Sequence, residues 1–236
     1  MQNLTLLALD TSTEACSVAL LYRGEKTHIN ELAQRTHTKR ILPMIDEILV
    51  NSGLGLNQVD ALAFGRGPGS FTGVRVGAGI AQGLAFGADL PVIPISNLTA
   101  MAQAAFELHQ AENVVAAIDA RMNEVYFSQV VREKVRSDFG EVFQWREIIS
   151  EQVCSPEQAI KQLRDDNAFR VGTGWAAYSQ FTKKNLTGSD IALPNALYML
   201  ELARVEFLQK HTISALEIEP IYLRNEVTWK KLPGRE

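Results

Sequence analysis

The chain has 236 residues, 46% of them hydrophobic and 21% charged, with a formal net charge of −4. That length and mixture suit a folded protein with a real core, arranged as one large domain or two small lobes. The acidic balance argues against a nucleic-acid-binding surface spread over the whole molecule, and no run approaches the roughly 18 apolar residues of a membrane span.

Residues 4–10 (LTLLALD) read as a buried strand, followed by a turn (TSTE) and a second strand (ACSVALLYRG) ending at Gly24. A polar stretch leads into residues 38–51, where Ile41, Ile45 and Ile48 form a helical stripe widened by Leu42, Leu49 and Met44. This apolar arc spans about 160°, wide enough to face both a core and a partner, the plainer alternative being that the whole arc is core. Pro43 must sit in that helix's first turn or kink it, and Gly53 is a natural stop. VDALAFG is the next strand, a glycine-rich segment over 70–86 the next helix, and LPVIPI another strand. Ser96 can cap a helix over NLTAMAQAAFELH.

The pattern then restarts. Laying LLALDTSTEACSVALL over VAAIDARMNEVYFSQV sets Asp10 against Asp119, with apolar positions matching on both sides of a similar turn. EVFQWREI follows, then a helix from Ser155, the strand AFRVGTG, the amphipathic PNALYMLELARVEFLQK and the ending EPIYLRN. The expectation is two hairpin-led α/β lobes, residues 1–110 and 111–236, the second carrying a C-terminal tail. Cys16 and Cys154 are isolated, and Cys16 lies mid-strand, which suits core rather than a nucleophile. With no basic segment and cleavage site at the start, the expected setting is the reducing cytoplasm.

A duplicated hairpin with an aspartate leaving its first strand suggests an actin-like or sugar-kinase-like nucleotide fold. There two such turns hold phosphates and Mg²⁺ with oxygen ligands and backbone N–H groups. Asp10, Thr11, Ser12 and Asp119 are the candidates, with Gly172 and Gly174 of GTGW as a nucleotide-side turn. The aspartates also have a plainer reading, as residues that close turns. The second turn, DARMN, lacks glycine and puts side chains where backbone should approach phosphate.

The stretch FGRGPGSFTGVRVGAGIAQG (64–83) holds seven glycines yet fits neither the P-loop nor the dinucleotide template. Gly69, Gly73 and Gly77 recur every four residues, and Gly79 and Gly83 repeat that spacing. Residues four apart share a helix face, and a face without side chains admits a close neighbour, internal or from a partner. The histidines (His28, His37, His109, His211) form no H-x-x-x-H pair, and the end of the VDALAFG strand offers no acid for two-metal chemistry. A nucleophile elbow is absent, and lone His37 reads as a surface or capping residue.

LALDTSTEACSVAL, RTHTKRILPMIDEIL, DALAFGRGPGSFTGVRVGAGIAQGLA and IYLRNEVTWKKLPGRE together resemble the bacterial TsaB (YeaZ) proteins along essentially the whole chain. The resemblance implies a duplicated actin-like (ASKHA, RNase H-like) two-lobe fold. It implies a non-catalytic partner of the paralogue TsaD, which with the ATPase TsaE installs threonylcarbamoyl on the adenosine beside the anticodon of tRNAs reading codons that begin with A. ATP or ADP and metal are then expected in TsaD and TsaE, with none in the isolated chain. The paralogue's two metal-binding histidines fall at Asn97 and Met101 here, an amide and a thioether that make a poor metal pair. Helices 38–51 and 70–86 are implied to meet the paralogue, through Ile41, Leu42, Ile45, Gly69, Gly73, Val76, Gly77 and Ile80. A homodimer over an overlapping surface is implied when TsaD is absent. Two enzymatic readings compete: a stand-alone actin-like ATPase using Asp10 and Asp119, and the glycoprotease-like metallopeptidase of older usage. Direct tRNA contact stays open. The basic tail at Lys230, Lys231 and Arg235 is the place for it, but the preferred reading of those charges is a solvated tail.

Overall fold

The computed structural model describes residues 4–33, 36–137, 140–165, 167–183, 186–188 and 190–224. Its first sheet is built from β1 (Leu6–Asp10), β2 (Ala15–Tyr22), β3 (Glu25–Leu32), β4 (Ala61–Gly67) and β5 (Val92–Ser96), in the order β3-β2-β1-β4-β5. The first three strands run antiparallel, and β1, β4 and β5 run parallel. Strand β1 is apolar on both faces because both are covered. Leu7 and Leu9 point toward helices α1 (His37–Asn51) and α2 (Phe71–Ala88), meeting Ile41, Met44, Ile48, Ala78 and Ala81. Leu6 and Ala8 point the other way, toward Ala196, Met199, Leu200 and Ala203.

The second sheet repeats the first four positions: β6 (Asn113–Arg121), β7 (Glu124–Ser137), β8 (Gly140–Cys154) and β9 (Phe169–Val171) stand in the order β8-β7-β6-β9. Again the hairpin is antiparallel and the last pairing, β6 with β9, parallel. Asp10 pairs with Ser17 and Asp119 with Val125, so the two aspartates occupy matching ends of matching hairpins. The duplication expected from the sequence is therefore present in the strand order.

Two helices each pack on the half of the chain they do not follow. Helix α3 (Asn97–His109) follows the first sheet but buries Leu98, Met101, Ala102 and Ala105 against Val114, Ala116 and Ile118 of β6. Between them in the chain come the short helices α4 (Pro156–Gln162) and α5 (Gly174–Ala177) of the second lobe. Helix α6 (Ala196–Leu208) follows the second sheet but lies on the first, packed also against α3. The caps are as the sequence indicates: the Ser96 hydroxyl accepts from Thr99 N–H at 3.2 Å, and Ser155 opens α4 in a capping box with Gln158.

Residues 25–32, a featureless polar stretch in sequence, form the edge strand β3. Only one side of it has a hydrogen-bonded neighbour, so most of its side chains face water and the alternation is lost. Pro43 lies beyond the first turn of α1, on the exposed side. Cys16 and Cys154 are free, and burial pushes both thiols up to about 11. Among the described residues no helix is long and apolar enough to cross a membrane.

Candidate functional site

The turn after β1 is closed by the glycine-rich helix. Thr11 donates its hydroxyl proton to Gly73 O at 2.7 Å, and Ser70 N–H donates to Ser12 O at 2.6 Å. A Cβ on Gly73 would stand 2.2 Å from Thr11 O, one on Gly69 would stand 2.4 Å from Ser12 O, and one on Gly77 would stand 2.9 Å from the Thr11 hydroxyl. The face formed by these three glycines is thus filled by the chain's own backbone, which corrects their expected place against a partner. Ile41 and Ile45, at 0% and 4% exposure, are likewise core residues rather than interface. Leu42 is exposed, and Val76 and Ile80 are half-buried.

Asp10 lies beneath this turn, 0% exposed. Ser12 Oγ donates to its Oδ2 at 3.0 Å, and Asn97 Nδ2 donates to its Oδ1 at 3.1 Å and to the Ser12 hydroxyl. Asn97 is itself fixed by Gly67 N–H, which donates to its Oδ1 at 3.3 Å. Gly65 completes the enclosure, since a Cβ there would stand 2.0 Å from Asp10 Oδ1. Burial lifts the Asp10 carboxyl to about 6, against the opposing pull of the Ser12 and Asn97 hydrogen bonds.

The second turn is built differently. Arg121, Met122 and Asn123 are consecutive left-handed residues, with φ of 64°, 57° and 59°, a conformation costly for L side chains. Asp119 is partly exposed, accepting from Tyr178 Oη at 2.6 Å and from Arg121 N–H at 2.8 Å. Burial and this contact push the Tyr178 hydroxyl up to about 12. Arg224, from the far end of the described chain, donates to Ala120 O at 3.0 Å and to the Glu124 carboxylate. Gly172 and Gly174 do not face outward for a ligand so much as inward: Cβ atoms there would stand 2.1 and 2.9 Å from Ala117 O.

Between the two turns opens a cleft of about 1210 Å³, lined by Ser12, Ser70, Asp119, Gly172, Arg170 and Arg224 among others. Asp10, Thr11 and Gly174 are not among its walls, so the expected nucleotide residues are only partly brought together. His37, half-buried at the start of α1, also lines the cleft. Arg224 was invisible to sequence reasoning, because an isolated arginine carries no spacing signal. Asn97 and Met101 do not face a common space: Asn97 is bound to Asp10, and Met101 sits in the core between α3 and β6. Among the described residues no group of three or more His, Cys, Asp or Glu side chains is placed to hold a metal ion.

The outer sides of α1 and α2 remain. Leu42 and Val50 on α1, and Phe86 on α2, are exposed large hydrophobics on two helices that pack together, whereas exposed Phe71 faces the cleft. Gly79, Gly83 and Gly87 have no atom within 4 Å of an added Cβ, so the second glycine stripe is open.

Two sheets of repeated order, each led by a hairpin that carries an aspartate at the turn, define a two-lobe protein of the actin-like class. A family model, described as "TsaD: tRNA N6-adenosine threonylcarbamoyltransferase", matches residues 28–229. The "tRNA threonylcarbamoyladenosine biosynthesis protein TsaB" of Haemophilus influenzae is 97% identical, covering 100% of both chains. The protein of the same name from Escherichia coli K12 is 47% identical over 98% of this chain and 99% of its own. A solved structure described as "YeaZ from Pseudomonas aeruginosa" superposes with a TM-score of 0.83 at 41% identity, covering 93% of this chain and 100% of that one. The chain belongs to the TsaB (YeaZ) family of tRNA threonylcarbamoyladenosine biosynthesis proteins.

Proposed function

We propose that this protein acts in the cytoplasm as the non-catalytic partner of TsaD, with TsaE, in threonylcarbamoylating the adenosine beside the anticodon of tRNAs that read codons beginning with A. The observation that carries the reading is that both turn aspartates are engaged by the chain's own groups. Asp10 is sealed by Gly65, Asn97 and Ser12, and Asp119 is engaged by Tyr178 and Arg121. A carboxylate so bound has little freedom to take a hydrated metal or a phosphate's counter-ion. ATP or ADP and metal belong, on this reading, to TsaD and TsaE.

The partner's helices seat on the outer side of α1 and α2, where Leu42, Val50 and the open glycines leave room for close approach. A homodimer formed without TsaD uses overlapping surface. Gly83→Phe, on the open stripe, should weaken TsaD binding at least tenfold with the fold intact. Unchanged affinity in the folded variant would count against this placement.

The deciding experiment is reconstitution with purified components and tRNA. The lone protein should transfer no threonylcarbamoyl, and omission of it from a mixture with TsaD and TsaE should abolish transfer. Robust transfer by the lone chain, or full activity without it, sinks the proposal.

A further inference from the structure

Beyond Ala215–Glu217, a single 3₁₀ turn held on α2 by Gln82 (Nε2 to Ala215 O, 3.0 Å), the chain crosses from the first lobe to the second. Ile218 is buried, and nothing between 219 and 224 is. The segment is instead tied at discrete points. Ile221 N–H donates to Arg66 O at the end of β4, at 3.0 Å. The Tyr222 hydroxyl accepts from Arg75 Nε at 2.7 Å, and its ring lies 5.7 Å from that of Phe71. Two residues later Arg224 grips the opposite lobe, at the turn whose three left-handed residues need an external hold. Beside it the Arg66 side chain crosses the same gap, donating to Glu151 Oε2 of β8 at 3.1 Å, and Ser96 donates to the same carboxylate.

We propose that residues 219–224 are a clasp across the interlobe cleft: its two ends engage and release together, and its closure fixes how far the cleft opens. Polar and aromatic contacts on an unburied segment can be broken without uncovering a core, which a releasable device requires. The anchors on the two lobes are only two residues apart in the chain, so loss of either end removes the constraint on the other. The site this controls is the cleft itself, and the inference does not depend on which partner or ligand uses it.

Hydrogen–deuterium exchange on the full chain tests the coupling. Arg224→Ala should speed exchange of the Ile221 amide, on the first lobe, as well as that of Arg121, each by about tenfold. Tyr222→Ala, at an exposed side chain whose loss spares the fold, should speed exchange of the Arg121 amide on the opposite lobe. Acceleration confined to the lobe where the substitution lies, or none at all, overturns the clasp. Spin labels on Asp46→Cys and Lys161→Cys, exposed positions on separate lobes, read the opening directly. Their distance distribution should broaden in Arg224→Ala, and an unchanged distribution equally overturns the proposal.

Discussion

At the first turn the aspartate is wholly buried and the closing element is a helix stripped of side chains. At the second, the matching aspartate is partly open, and the turn is held by side chains, Tyr178 and Arg224, brought from elsewhere in the chain. Strand order and pairing are shared, and each strand end meets a glycine in close approach, yet the groups that engage the two aspartates differ. Topology follows from the strand–turn–strand pattern that both halves repeat. The chemistry available at each turn follows from what packs on it afterwards. Glycine spacing lets α2 descend onto Thr11 and Ser12, whereas the DARMN turn, with no glycine of its own, adopts left-handed geometry and is tied by Arg224.

The sharpest way to break the comparison is to refill the two close approaches. Gly73→Val would drive a side chain into Thr11 O, and Gly172→Val would do the same at Ala117 O from a φ of 105°. Each should cost about 3 kcal/mol or more in denaturant unfolding, because backbone cannot move aside as a flexible side chain can. If either variant keeps its midpoint, that turn is not closed in the way described.

Next in size is the pH dependence that separates Asp10 from an ordinary aspartate. Its carboxyl titrates at about 6 in the folded chain, against an ordinary value of 3.8, so the folded state retains a proton that the unfolded chain releases. The resulting stabilisation is complete below about 4 and is lost as pH rises through about 6, amounting to roughly 3 kcal/mol. Asp10→Asn should remove that slope, so the stability difference between variant and parent should move in the variant's favour from pH 4 to pH 7. Parallel pH profiles for the two proteins would refute this.

Smaller effects sharpen the contrast. Met122→Gly should stabilise by about 1 kcal/mol, since glycine takes the left-handed geometry freely and this exposed side chain gives up only a weak contact of its sulfur with Arg224 Nη1 at 3.7 Å. Gly83→Ala, on the open side of α2, should add about 0.5–1 kcal/mol through helix propensity alone. A thermal melt measures both, and a loss of stability in either would show an unrecognised contact.

The sequence carries the topology more openly than the site. Leu6–Asp10 and its counterpart at Asp119 are legible because buried strands and their turns are written locally, as are the caps at Ser96 and Ser155. The spacing of Gly69, Gly73 and Gly77 says which residues share a face, but it cannot say what covers that face. The open stripe at Gly79, Gly83 and Gly87 has the same spacing and the opposite environment. Ile41 and Ile45 raise the same problem, because an apolar arc looks alike whether it meets a sheet or a partner. Asn97 was legible as a poor metal ligand, but its hold on Asp10 joins residues far apart in the chain. Arg224 is of this kind too, and Lys230, Lys231 and Arg235 lie outside the described residues.

The exchange of α3 and α6 between the lobes bears on how the chain is made. Leu6, Ala8, Ile93 and Ile95 line a sheet face whose cover, Ala196–Leu208, is the last α-helix among the described residues to be synthesised. At about 5–20 residues per second, that face waits roughly 5–20 s on the ribosome before its own helix emerges. During that interval the nascent first lobe presents an apolar surface of the kind chaperones hold. A ribosome stalled before residue 196 should therefore display a chain that chaperones bind and proteases cut, and release past residue 208 should end both.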